Sequence, residues 1–127
     1  MPRKIDINFD PDEKLWRQVS REQLDPSGLH VKPNALRVQI SVSRQRYGKP
    51  TPGPSPFNGV AEILVRDASG VAAKAAYSVC VDFPTHTNDG HATIAIVAPP
   101  GTPTDWADLL AVRAELAARM QVIVEPK

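Results

Sequence analysis

Apolar and polar residues alternate along Lys4–Phe9, with Ile5, Ile7 and Phe9 on one side and Asp6 and Asn8 on the other. That period of two predicts a short strand with one wet face. Asp10-Pro11-Asp12-Glu13 follows and reads as a helix start, with a carboxylate cap, a proline in the first turn and acids near the positive end of the dipole. Leu15, Trp16 and Val19 would form its apolar side, although Leu15–Val19 fits an extended segment equally well. The clearest alternation runs over Leu36–Ser43, where Leu36, Val38, Ile40 and Val42 oppose Arg37, Gln39, Ser41 and Ser43. Gly59–Arg66, a turn at Asp67–Gly70 and Val71–Phe83 predict a hairpin. Within its second arm Ala72–Ala76 has helical propensity, which leaves strand and helix both open there. His91–Ala98 is polar only at its start, as expected of a strand central in a sheet.

Turn residues divide these segments. Asp25-Pro26-Ser27-Gly28 is a turn, and Gly48–Pro56, with four prolines and two glycines, is a loop that proline makes stiff and extended. Thr102-Pro103-Thr104-Asp105 is a helix start with threonine as the cap. Trp106, Leu109, Leu110, Val112, Leu116 and Met120 then recur at helical spacing, and Val122–Val124 reads as an edge strand. The fold expected is α+β: a mostly antiparallel sheet of about five strands with the Pro103–Met120 helix across one face. In that arrangement Trp106, Leu109, Leu116 and Met120 meet Val38, Ile40, Ile94 and Ile96.

A chain of 127 residues, 42% apolar, suits one domain over 1–127 that needs no disulfide or metal to fold. Fifteen basic against fourteen acidic residues leave a net charge of +1, which calls for neither nucleic acid nor an anionic membrane. The single Cys80 excludes an intrachain disulfide and suits a reducing compartment. MPRKIDINFD lacks the apolar stretch of a signal peptide, and the longest apolar run, Ile94–Pro100, falls short of the ~20 residues that span a bilayer. The expected location is the cytoplasm.

Candidate chemistry is sparse. His86 and His91, with Asp82 and Asp89 nearby, have a spacing within the loose range of a loop metal site, but neither a helical His-x-x-x-His nor a cysteine pairing supports one, so the plainer reading is a polar loop at a sheet edge and no metal or cofactor is expected. Arg37, Arg44, Arg46 and Lys49, with Tyr47 among them, could meet phosphates and a base, but a solvated strand face and loop explain them as well. Ser41 and Ser43 have no neighbouring histidine in sequence, so a base would have to come from elsewhere in the chain, with His91 the candidate. Cys80, in an apolar strand, reads as an inert small hydrophobe. Trp16 is either a core anchor or an exposed contact residue.

LWRQV (Leu15–Val19), NALR (Asn34–Arg37), SVSR (Ser41–Arg44), GVAE (Gly59–Glu62) and HATI (His91–Ile94), in this order, resemble the short motifs of a loose group of small bacterial proteins without an assigned activity. The resemblance covers roughly Leu15–Leu116; the chain departs from it in having isoleucine before Ser41 and a long proline loop after Arg46. What the resemblance implies is only that Ser43, Arg44 and His91 belong together. Three functions follow as expectations. The first is a non-catalytic binding or accessory protein whose partner is another protein, met through Trp16, Arg46, Tyr47, Pro52, Pro54 and Pro56. The second is a small or degenerate enzyme with Ser43, Arg44 and His91 around a cleft. The third is a weak nucleic-acid binder using the Arg37–Lys49 patch.

Overall fold

The computed structural model describes residues 3–101, 103 and 105–127. It is α+β, with one antiparallel sheet and one main helix. In chain order the elements are β1 (Lys14–Val19), β2 (Gln39–Arg44), β3 (Gly59–Leu64), a one-turn helix α1 (Val65–Ala68), β4 (Ala72–Ala73), β5 (Ala76–Asp82), β6 (His91–Val97), α2 (Trp106–Arg119) and β7 (Gln121–Val124). The strands lie in the order β4-β5-β6-β2-β1-β3-β7. The sheet therefore has seven strands, not about five. None of the helices among the described residues is long and apolar enough to cross a membrane.

The predicted helix after Asp10 is strand β1. Leu15, Arg17 and Val19 alternate with Lys14, Trp16 and Gln18, and the strand pairs with β3 along its whole length. Asp10 does cap, but it caps a turn: its carbonyl accepts from Glu13 N at 2.9 Å and its carboxylate from Asp12 N at 2.8 Å. With only three apolar residues on its would-be face, the helix had less to bury than a strand placed between two others. Lys4–Phe9, by contrast, pairs with no strand. It is a strap held by side chains, described below.

The hairpin joining β3 to β5 does not form. After Leu64 the chain turns through α1 and crosses the sheet, where β4 and β5 make a tight hairpin with Ala72 opposite Tyr77. Ser78 pins that crossing, its hydroxyl donating to Ala68 O at 2.6 Å and accepting from Val71 N at 3.0 Å. The alanine-rich stretch is thus strand, turn, strand. β6 is interior, between β5 and β2, and β7 is an edge strand beside β3, both as the sequence predicts.

α2 covers one face of the sheet, packing on β4, β5 and β6 and burying Leu109, Val112, Leu116 and Ala117. Ile40, Val42, Ala92, Ile94 and Ile96 meet it from below in one buried cluster that also takes in Met120. Trp106 and Val38 are not part of this contact: they are 65% and 42% exposed. Asp105 is the N-cap, accepting from Ala107 N at 2.9 Å, so Trp106 opens the first turn on its outer side. Thr102, the cap expected from sequence, lies outside the described residues.

Candidate functional site

The other face of the sheet carries the candidate site. Strand residues alternate between faces, and cross-strand partners share one. Trp16 opposes Ser43, and Ser43 opposes His91, so these three form a row on the face that α2 leaves open. β1 and β2 pair only through Leu15–Arg44 and Trp16–Ser43, then part. Arg17 bridges the gap, donating to Ser41 O at 3.1 Å and Ala35 O at 3.4 Å.

Above this gap lies a cavity of about 300 Å³, with Trp16, Arg17, Ser41, Val42 and Ser43 along the strands. Pro54 and Phe57 form one wall, Asn88 and His91 the other. A second cavity, of about 370 Å³, adjoins it through Gln18, Ser43 and Asn88 and continues past Tyr47, Lys49, Thr51 and Thr87. Together they make a groove between two loops.

The proline loop is fastened over β1 to form its wall. Gln18 donates to Thr51 O at 3.2 Å, and Gly53 N donates to Phe57 O at 3.0 Å. A Cβ on Gly53 would stand 2.5 Å from Gln18 Oε1 and 2.7 Å from Phe57 O, which only glycine avoids. Pro52, Pro54 and Pro56 remain exposed along the rim. Opposite, Asn88 donates to Ser43 Oγ at 2.9 Å while its own Oδ1 accepts from Gly90 N at 3.0 Å. Trp16 is 7% exposed and donates to Glu62 Oε1 at 3.0 Å, so it is an anchor in the floor of the groove and not a protruding contact.

His91 Nδ1 lies 2.8 Å from Phe83 O. A carbonyl oxygen only accepts, so Nδ1 carries the hydrogen there and Nε2 is left as the free nitrogen of the neutral ring. The Phe83 ring meets the imidazole edge-on at 5.9 Å. Ser43 and His91 share the cavity, yet the hydroxyl's hydrogen-bond partner is Asn88.

Arg44 does not join them. Its side chain projects to the covered face, with Ile40 and Val42, and is fully buried. Nε and Nη2 make a fork on Glu13 with two 2.9 Å bonds, Nη1 donates to Asp82 at 3.1 Å and to Asp6 O at 2.9 Å, and Nη2 also donates to Asn8 O at 2.8 Å. Its guanidinium stacks 3.9 Å from the Phe9 ring. Burial works against the charge, but hydrogen bonds to Glu13 and Asp82 outweigh it and raise the Arg44 pKa above its ordinary value. Asp82 is buried too, and burial alone would raise its pKa, yet bonds from Arg3, Asp6 N and Arg44 hold it at about 2. The strap is thus clasped by ions: Arg3 forks onto Asp82 at 2.6 and 2.7 Å, and Asp6 N donates to the same carboxylate at 2.6 Å.

This network also disperses the basic patch. Arg46 pairs with Asp6 at 3.0 Å, and Tyr47 donates to Asp6 at 2.6 Å with the Arg3 guanidinium 3.5 Å over its ring. Hydrogen bonds from Tyr47 and Asn8 N lower the Asp6 pKa. Arg37 and Lys49 stay exposed, while Arg44 and Arg46 are paired with carboxylates. Burial raises the Cys80 thiol to about 11, which keeps it protonated at neutral pH. Among the described residues no group of three or more His, Cys, Asp and Glu side chains is placed to hold a metal ion.

Arg17, Gln18, Phe57 and Asn88 belong to the site without having been predicted. For Arg17 a signal existed, since alternation sets it between Leu15 and Val19 on the covered face; it reaches the groove through the gap where β1 and β2 part. Phe57 and Asn88 are positioned by loops, for which periodicity gives no guide. No family model, curated protein or solved structure matches this chain.

Proposed function

We propose that the protein is a non-catalytic binding module of the cytoplasm that meets another protein through the groove on the open face of its sheet. The observation that carries this reading is the groove itself: a concave surface of mixed polar and apolar lining between two fastened loops, on a face that no helix among the described residues covers. The exposed rim prolines suit it, because a restricted backbone loses little entropy on contact. Arg44 supports it from the other side, since its donors are spent within the buried network, on Glu13, Asp82 and the Asp6 and Asn8 carbonyls of the strap.

A second reading, a hydrolytic enzyme, is favoured by the pairing of Ser43 with His91 across β2 and β6. A serine nucleophile needs a base that accepts its proton within hydrogen-bond reach; the bond at Ser43 Oγ is instead one it accepts from the Asn88 amide, and the bonded nitrogen of His91 is turned to Phe83 O.

One experiment separates the two. Ser43→Trp fills the groove, and Leu110→Lys changes the outer side of α2; both are expected to melt close to the parent. Partners captured by the parent from source cells should be lost by Ser43→Trp and kept by Leu110→Lys. Retention of every partner by Ser43→Trp would exclude the groove as the interface. Labelling of Ser43 by a fluorophosphonate, abolished by His91→Ala, would establish the enzyme instead.

A further inference from the structure

Among the described residues, those that line the groove include no aspartate or glutamate. Other concavities of the molecule are not like this: Asp25 and Glu125 line one, and Asp10, Asp12 and Glu13 another. In a chain with almost equal numbers of acids and bases, a groove free of acids has a definite sign. Arg44 borders it too, but its guanidinium is buried on Glu13 and Asp82, which leaves Arg17 at one end and Lys49 at the other as its available cations.

Arg17 is the more informative. Among the described residues no carboxylate pairs with it; its two bonds go to carbonyl oxygens, and Nε is buried without an acceptor. Removal from water lowers its pKa. A guanidinium so placed has lost hydration and gained no counter-charge, which leaves it short of the bidentate acceptor that its geometry suits. The bond from Nη1 to Ser41 O is nevertheless exposed, so the group can be reached. Beside it stand Gln18, Ser41, Ser43 and Asn88, neutral groups able to bond a peptide backbone.

We propose that the groove receives an extended acidic peptide segment of the partner, one carboxylate seating on Arg17 and the next charge lying toward Lys49. The proposal rests on the reading of the groove as a protein-binding surface and supplies its chemistry. Nucleic acid fits less well. Two cations are few for a phosphate backbone, and Trp16, 7% exposed, offers no free face for a base.

The test uses the whole chain, isotope-labelled, titrated with a capped Glu-Ala decapeptide, its Gln-Ala counterpart and an oligothymidylate decamer, while the Trp16 indole and Arg17 Nε resonances are followed. The Glu-Ala peptide should shift both resonances and bind about tenfold tighter than the Gln-Ala peptide, the usual worth of a charge-assisted hydrogen bond. Arg17→Gln should erase that preference. Because Arg17 also bridges β1 and β2, Lys49→Glu repeats the charge test at an exposed position and should weaken only the acidic peptide. Equal binding of the two peptides in the groove would overturn the acidic preference and leave the binding surface standing. Shifts by neither peptide at millimolar concentration would overturn both readings. Tighter binding of the oligonucleotide than of the Glu-Ala peptide would overturn the proposal in favour of nucleic acid.

Discussion

Arg44 shows how one residue can be read correctly as special and wrongly as to why. Its position at the end of an alternating strand is plain from sequence, and so is its register with Ile40 and Val42. That register put a charge on the buried face, which was the available clue. What it could not show is that Glu13, Asp82 and two carbonyls of the strap would converge there, because those groups lie 31 to 38 residues away. Removing the guanidinium leaves the buried Glu13 carboxylate without its ion partner, the costly half of a buried ion pair, and takes one of several bonds from Asp82. Arg44→Ala should therefore lose roughly 3–5 kcal/mol in chemical denaturation. A loss under about 1 kcal/mol, the worth of an exposed pair, would show that the network is not closed to water. Ser43 and His91 were legible as neighbours only in the sense that both begin or end strands; their direct opposition depends on β2 pairing with β6, which no local pattern encodes.

Among the elements, α2 was the most legible because its apolar spacing repeats over several turns, and β1 the least. Six residues with both faces apolar at some position satisfy helix and strand alike, and the strand won by pairing with two neighbours. Even in α2 the spacing overreached at Trp106, where the first turn projects past the sheet. The contrast is measurable. Leu116→Ala, at a fully buried position, should lose roughly 2–5 kcal/mol, whereas Trp106→Ala should lose less than about 1 kcal/mol. Equal losses in urea titrations would mean that the helix sits rotated from the orientation described.

For the molecule as a whole, two long-range devices were invisible in sequence: the crossing through α1 that separates β3 from β5, and the strap that closes one end of the covered face. Both rest on polar contacts between distant segments, and hydrophobic periodicity carries no record of such contacts. The strap also gives the protein an acid limb. The Asp82 carboxyl titrates near 2 when folded and near its ordinary 3.8 when free. Its stabilisation is therefore complete above about pH 4 and is lost as pH falls from there through about 2. Melting temperatures measured across that interval should fall less steeply for Asp82→Asn than for the parent. Identical slopes would remove Asp82 from the cause.

The strand order has a consequence for how fast this structure can be reached. β1 lies between β2 and β3, β2 finds its second partner only in β6, and β3 finds its own in β7. Apart from the β4–β5 hairpin and the step from β5 to β6, each pairing closes a long loop of chain before it gains a hydrogen bond. Loop entropy spent in advance of contact makes for a high barrier, and sheets of this kind refold in roughly milliseconds to seconds, not microseconds. The hairpin and its β6 extension, where strands adjacent in the sheet are joined by short connections, are where ordering can begin. Substitutions there should slow refolding, while those in β7, which docks on a finished edge, should chiefly hasten unfolding.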